Sequence, residues 1–552
     1  MFDSLIPLEL VFTTIIVGFI SSCLALYCTT LDAVPFTGPF PRPAINESKR
    51  RGHKECRLNE KDQRVADFVR FISEKVDIRR KYIHNELVKH TDYIENLVQS
   101  ICGKVCEFNR AFRIKEIVRR GSFYDRTKIV EPNEYDLMAI LLISDSSAID
   151  VFLNENCHYK DEGWGYGLIK LVKSDLTLPI PKDCMIKTSH AVHAAGESWQ
   201  LSYVIMYKLR EAVEWALKEM KDVKLLTGNE FTFHKDDPKN PYQLGDVSLH
   251  WDLHGPSVWL RVGAPLCTTD IDLCFCIERK NPVKITRNIQ NYEDNTKRPQ
   301  MDTQISTVTH TKLGRCAMIR GDTYQCDKCI EDHWVESVID PLKNKCAWTD
   351  SHRSLLLTFK MISEFMRKRY KYVDFFPSYY LKVLLVEHEN KCNDETNVGK
   401  CFYDIVNRFK ANDLGLEDLE TIDEVFENED DANTDEFTIQ LETGKFPRVK
   451  PIPDMHYPKR KIFGKLHGAI ALIWFLQYVK HTPNTEWWAK LTGSEFGVQE
   501  NEPFKSLTET FERVNTWTTS FRTGDLYLHN GSRLELKWQH DDGTDTYVCV
   551  TQ

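Results

Sequence analysis

The first nine residues contain no Lys and no Arg, only the acids Asp3 and Glu9. A secretory leader opens on a basic stretch and closes on small residues at a cleavage site. The apolar run that follows, Leu10 to Cys28, is about the length that crosses a bilayer core, and its first basic cluster, Lys49-Arg50-Arg51 with His53-Lys54, comes after it. That bias predicts an uncleaved single-pass anchor with the bulk of the chain on the cytosolic side, a cleaved leader being the alternative. A disulfide framework is also missing. Of the 17 cysteines, Cys102, Cys106, Cys267, Cys274 and Cys276 fall inside apolar helix or strand patterns, where a free thiol behaves as a small hydrophobe. The pattern fits a reducing compartment, and the glycosylation sequons at Asn46 and Asn530 are too short to count against it. Finally, residues 411–437 lack Lys and Arg altogether while holding twelve acids. They account for the net charge of −9 and leave the remainder at +3, so an acidic total does not exclude an anionic ligand. At 42% apolar and 28% charged residues over a length of 552, the chain is globular and has room for three or four domains.

The stretch with the most chemistry runs from Arg119 to Leu142. Gly121-Ser122 makes a sharp turn, and after eleven intervening residues an apolar strand opens on Glu134 and Asp136. Side chains two apart on a strand share a face, and two carboxylates held side by side repel unless a divalent cation offsets them. Glu134 and Asp136 are therefore candidate metal ligands. A second strand with alternating acids lies at Leu266–Ile277, where Asp270 is the favoured third ligand with Asp272 beside it on the same face. A two-metal site of this kind activates a ribose hydroxyl and steadies a departing pyrophosphate. Backbone N–H groups of Gly121-Ser122 and the Ser122 hydroxyl would meet phosphate oxygens. Taken singly, each fragment is more often a surface turn or a solvated strand edge; the joint spacing carries the reading.

Gly121-Ser122, eleven residues, then Glu134-Tyr-Asp136 preceded by Pro132-Asn133 resembles the signature of the cyclic GMP-AMP synthase-like receptors. These belong to the male-abnormal family of nucleotidyltransferase-fold proteins. Thr269-Asp270-Ile271 resembles the strand of the family's third aspartate, and Phe376-Pro-Ser-Tyr-Tyr-Leu-Lys382 its nucleotide-binding motif. Lys360 resembles the family's triphosphate-contacting lysine, although a helical Lys is more often merely solvated. The resemblance implies phosphate contacts from Ser378, Lys360 and Lys382, and base stacking by Tyr379; core aromatics are the other reading of Tyr379-Tyr380. It also implies Mg²⁺ or Mn²⁺, ATP and GTP as substrates, and a cyclic dinucleotide product under control of a double-stranded RNA or DNA. Val335 stands where the relatives usually carry an Arg after the Trp. A catalytically inactive membrane-anchored scaffold of the same fold is the alternative function.

The expected architecture is an α/β nucleotidyltransferase fold of the α+β kind, with a mixed sheet, a helical C-terminal lobe and a small α+β extension. Apolar residues three and four apart across 59–118 predict a long helix, which the resemblance makes a spine between lobes with Arg79-Arg80-Lys81 facing a duplex; a solvated face is the other reading of that cluster. The divisions run 10–28 membrane helix, 29–58 Pro-rich and basic linker, 59–300 nucleotidyltransferase core, 301–410 helical lobe, 411–437 acidic linker and 438–552 extension. Leu466–Val479 is apolar but too short to span a bilayer. Cys316, Cys326-x-x-Cys329 and His333 could hold zinc, free thiols being the default. Three short strands close the chain, at 525–528, 534–538 and 546–550.

Overall fold

The computed structural model describes residues 36–37, 59–145, 149–160, 164–171, 201–228, 237, 239, 241–279, 284–288, 303–307, 315–320, 333–339, 349–370, 375–392, 396–410, 451–482, 485–492, 504, 507–508, 511, 526–527, 533–541 and 544–551. The chain divides into two compact units, one drawn from residues 1–41, 84–126 and 132–340, the other from 42–83, 127–131 and 341–552. Helices in chain order are α1 (Glu60–Val76), α2 (Ile78–Lys81), α3 (His84–Phe108), α4 (Gly121–Tyr124), α5 (Leu201–Glu219), α6 (Asp350–Arg369), α7 (Ser378–Glu389), α8 (Val398–Lys410), α9 (Leu466–His481) and α10 (Glu486–Lys490).

The first unit holds a mixed 13-stranded sheet. Its strands are β1 (Phe36–Thr37), β2 (Ile114–Arg120), β3 (Glu134–Leu141), β4 (Ile149–Asn154), β5 (Tyr166–Leu171), β6 (Lys224–Leu225), β7 (Asp246–Leu249), β8 (Ser257–Gly263), β9 (Thr268–Arg279), β10 (Lys284–Asn288), β11 (Thr303–Thr307), β12 (Cys316–Arg320) and β13 (Trp334–Val338). The order along the sheet is β1-β2-β3-β9-β12-β13-β5-β4-β10-β11, with β8, β7 and β6 added in turn beside β9. The long β9 is the hub. It runs parallel to β3, antiparallel to β8 along its first half, and antiparallel to β12 at its last three residues. In the first halves of β3 and β9 the acids alternate with buried Tyr135, Leu137, Ile271 and Leu273. Beyond that β3 is apolar to its end and β9 through Ile277, as strands covered on both faces are.

The predicted continuous helix over 59–118 is three helices followed by a strand. Asp77 ends α1 and caps α2, its carboxylate accepting from the Arg79 N–H. Tyr82 is extended, and the chain passes into the first unit after Ile83. Periodicity could not show this, because the apolar spacing runs on through the break. Residues 114–118, read as helix, form β2 instead, paired in register with β3. Arg79, Arg80 and Lys81 are engaged within the second unit: Arg79 with Asp77, Arg80 with Glu74 at 2.8 Å, and Lys81 donating to the Val130 carbonyl at 3.0 Å.

The core of the second unit is built by α1, α6, α7, α8, α9 and α10, with Phe68, Ile72, Phe359, Phe402, Phe475 and Trp487 among its buried side chains. The apolar segment α9, expected in a separate extension, lies inside this core. It has 16 residues, about 24 Å of helix, against roughly 30 Å of bilayer hydrocarbon. The expected single-pass membrane assignment, made on residues 10–28, is corrected. Among the described residues no helix is long and apolar enough to cross one, and residues 10–28 lie outside them, as does the acidic stretch 411–437. Two small sheets complete this unit: β14 (Ile452–Pro453) with β15 (Lys461–Ile462), and β16 (Leu526–Tyr527), β17 (Arg533–Asp541) and β18 (Thr544–Thr551) as an antiparallel set.

Where α8 crosses α1, a Cβ built on Gly399 would lie 2.2 Å from the Asp62 carbonyl oxygen, and backbone cannot step aside as a side chain can. Gly399→Ala is expected to destabilise the second unit by about 1–3 kcal/mol, read as a lower thermal midpoint, whereas Gly103→Ala, with nothing within 4 Å, leaves the midpoint unchanged or higher.

Candidate active site

The β3–β9 pair sets Glu134 opposite Asp270 and Asp136 opposite Asp272. Strands lie about 4.8 Å apart, so four carboxylates project from one face of two adjacent strands. What separates them is the strand on the other side of β9. Arg261 of β8 faces Asp270, and its Nε donates to the Asp270 carboxylate at 2.8 Å, the guanidinium resting over the Trp259 ring at 5.0 Å. Asp272 faces Trp259, which has no charge to offer. The ligand-capable oxygens of Glu134, Asp136 and Asp272 consequently lie within 4.8 Å of one another. The gathered acids thus include Asp272, where the alternating pattern favoured Asp270. The sequence held both residues, but the strand that pairs off Asp270 could not be read from it.

Burial holds the Asp272 carboxyl above its ordinary range, and the charge of Glu134 adds to this, while exposed His254, 3.4 Å away, acts in the opposite sense. Ionising Asp272 therefore opposes folding as the pH rises through that raised range.

Gly121 occupies the place where the Asp136 carboxylate approaches the turn after β2. It has φ +76°, and a Cβ there would overlap the Asp136 carboxylate, with Oδ2 only 1.7 Å away. Two constraints, left-handed backbone and absent space, demand glycine at one position. The turn is clamped from both sides. Arg119 reaches Glu95 of α3 with two bonds of 2.7 and 2.8 Å, and the Tyr124 hydroxyl donates to the same carboxylate at 2.9 Å. Phe123 and Tyr124 pack against Tyr135, between the two acids of β3.

His90, also on α3, ties together the two loops that lead into the acid-bearing strands. Its Nδ1 accepts from the Leu266 N–H at 3.2 Å, which leaves Nε2 to donate to the Pro132 carbonyl at 3.1 Å, with the Thr269 hydroxyl at 3.2 Å. Burial lowers its pKa to about 4, although the Pro132 hydrogen bond acts the other way. The ring is neutral at pH 7. Nothing in the helical pattern around His90 marks it, nor does Glu95 stand out among the acids of α3; both become visible only through their tertiary partners.

The remaining sequence candidates divide. Lys360, Ser378, Tyr379 and Lys382 belong to the second unit. There Lys360 donates to the Thr127 carbonyl at 2.8 Å, and Ser378 opens α7 exposed to solvent. Tyr379 is 41% exposed and its hydroxyl donates to Asp454, whereas Tyr380 is buried and stacked on Phe376. Lys382 is half-buried. Of the zinc grouping of Cys316, Cys326, Cys329 and His333, the described pair Cys316 and His333 is not brought together. Cys316 pairs with Val338 and Arg320 with Trp334, so Cys316 and His333 stand at opposite ends of the β12–β13 pair, about 16 Å apart at about 3.3 Å per residue. His333 instead meets Cys157 Sγ through Nε2 at 3.2 Å, and Cys326 and Cys329 lie outside the described residues.

No protein-family model and no curated protein matches this chain. Among solved structures, the chain is similar to CdnC of Escherichia coli MS115-1 with ATP, at 11% identity and a TM-score of 0.36, covering 79% of this chain and 98% of that one. The complex of the same CdnC with HORMA-deltaN gives 11% and 0.37 over the same shares. The CdnE c-UMP-AMP synthase of Rhodothermus marinus with Apcpp and Upnpp gives 12% and 0.28, over 60% of this chain and 84% of that one. Likenesses at these TM-scores establish no shared fold, and the reading of the site rests on its own residues.

Gly121→Ala is expected to displace the Asp136 carboxylate and to lower the thermal midpoint. Gly121→Asn, which tolerates positive φ better but still carries a Cβ, should not restore it. For His90, the folded pKa of about 4 lies below the unfolded value of about 6.5. The unfolded chain binds the extra proton between those values, so stability is fully present above pH 6.5 and declines as the pH falls toward 4, by up to about 3 kcal/mol. Denaturant titrations from pH 7 to pH 4 should show that slope, and His90→Gln should flatten it.

Proposed function

We propose that the first unit carries a metal-dependent nucleotidyltransferase site, and that the chain joins ATP, GTP or both into a cyclic dinucleotide. The observation supporting this reading is the convergence of the Glu134, Asp136 and Asp272 carboxylates beside a glycine that has no room for a Cβ. An all-oxygen set of three acids fits a hard divalent cation such as Mg²⁺ or Mn²⁺. When bound, such ions acidify an attacking hydroxyl and offset charge on a leaving pyrophosphate.

The chain's own groups would do the rest. Glu134, Asp136 and Asp272 hold the ions, and the Asp270–Arg261 pair stiffens the strand that carries the third acid. The Gly121 backbone and the Ser122 hydroxyl receive phosphate oxygens without a side chain in between. Lys360, Ser378 and Lys382 are assigned phosphate contacts and Tyr379 base stacking by the family resemblance, and these assignments are part of the proposal. Activation by double-stranded RNA or DNA is proposed on the same ground; of the basic cluster, Arg79 is paired with Asp77, while Arg80 and Lys81 stay exposed. Val335, in place of the family's arginine, favours a second reading, a catalytically silent scaffold.

Incubation of the full chain with ATP and GTP, Mg²⁺ or Mn²⁺, and a panel of duplexes should yield a cyclic product. Asp136→Asn and Asp272→Asn are each expected to lower the rate by on the order of 100-fold or more, the scale of losing a preorganised electrostatic contact. Asp270→Asn should lower it by less than about 10-fold, as a supporting residue does. Full turnover in Asp272→Asn would refute the assignment, and absence of product under all conditions together with retained partner binding would leave the scaffold.

A further inference from the structure

A second cluster of ligand-bearing side chains lies in the other unit, at one end of its helical core. His352 sits in the first turn of α6, His388 in the last turn of α7, Cys392 just beyond it, and Cys401 in the first turn of α8. One ligand atom from each lies within 4.8 Å of all the others, and His352, His388 and Cys401 are buried. We propose that these four residues form a structural zinc site that fastens α6, α7 and α8 to one another.

Two of the ligand–ligand distances match the edges of a zinc tetrahedron. With Zn–S about 2.3 Å and Zn–N about 2.0 Å, ligand edges come to about 3.8 Å for sulfur to sulfur and about 3.5 Å for sulfur to nitrogen. Cys392 Sγ and Cys401 Sγ are 3.6 Å apart, and Cys401 Sγ is 3.6 Å from His352 Nε2. The sulfurs are far beyond the roughly 2.05 Å of a disulfide. The orientation of His352 points the same way. Its Nδ1 faces the Thr349 hydroxyl at 3.0 Å and the Glu389 carboxylate at 3.5 Å, so Nδ1 carries the proton and the Nε2 lone pair is directed at the cluster. A carboxylate behind a ligating imidazole is the usual outer support of a zinc site.

An independent observation comes from His388. The residue is 7% exposed, yet its Nε2 has no hydrogen-bond partner among the described residues. Burying such a nitrogen without a partner is unfavourable by about 1–3 kcal/mol, and a cation at the centre of the cluster supplies one. Binding would release two thiol protons to solvent and involves no oxidation. Four protein ligands leave no open position, which is the mark of a structural rather than a catalytic zinc. The spacing conceals the site from sequence inspection, since His352 lies far from the other three and only helix packing brings it in.

The test uses the full chain, expressed and purified without chelator and analysed for metals by mass spectrometry. One zinc per chain is expected. It should be absent in Cys392→Ser and in His388→Ala, and retained in the Cys326→Ser/Cys329→Ser double variant. Cobalt exchanged into the wild-type chain should give the thiolate charge-transfer and intense tetrahedral bands of an S₂N₂ site, which keeps the test valid even where a variant fails to fold. Zinc-free wild-type protein that takes up no cobalt with this spectrum overturns the proposal. So does an unchanged zinc content in Cys392→Ser or His388→Ala, loss of the metal from the Cys326/Cys329 variant alone, or a Cys392–Cys401 disulfide in the protein as purified.

Discussion

Carboxylates from two neighbouring parallel strands stand within 4.8 Å of each other in the first unit, and like charges that close repel. At an effective dielectric constant of 20, each ionised pair is unfavourable by roughly 3–4 kcal/mol, a large share of the 5–15 kcal/mol that holds an ordinary domain together. Arg261 is paired with Asp270, and the strand position opposite Asp272 is an indole. The sheet therefore gathers three carboxylates in a fixed place, an arrangement suited to a divalent cation.

Everything near these acids resists their mutual displacement. The buried halves of β3 and β9 are apolar on both faces and anchor the register that brings Asp136 level with Asp272. His90 joins the loops at the entrances of both strands through one neutral ring, and Glu95 holds Arg119 and Tyr124 on either side of Gly121. A helix that contributes no acid thus fixes the positions of those that do. Rigid support of this kind is what a site that works by placing charge requires.

Much of the first unit was legible in sequence because its signals are local. Glu134-Tyr-Asp136 ahead of an apolar run reads as a strand with two acids on one face, and so it folds; in the second unit, the closing strands β16 to β18 fall near their expected limits. Other features depended on pairings between distant parts of the chain. Asp270 and Asp272 are equivalent until β8 brings in Arg261. The break at Asp77 is invisible to a periodicity that continues across it. His352 and Cys401 become neighbours through helix packing, whereas the conspicuous Cys-x-x-Cys motif drew attention to Cys316 and His333, which the β12–β13 register keeps apart. Spacing along the chain is a good guide within an element and a poor one between elements.

Neither unit is a continuous piece of sequence. The chain leaves the second unit after Ile83, returns to it for Thr127–Glu131, leaves again, and comes back for good only after Asp340. Helix α1 is consequently made early, but α6, α8 and α9, against which its Val65, Phe68 and Ile72 are buried, come from residues 350–481. During synthesis at about 5–20 residues per second, that apolar stripe waits tens of seconds for its partners to leave the ribosome. A nascent chain in this state is a natural client for chaperones, and a premature stop anywhere before α6 yields a polypeptide whose first long helix lacks α6, α8 and α9 to fold against.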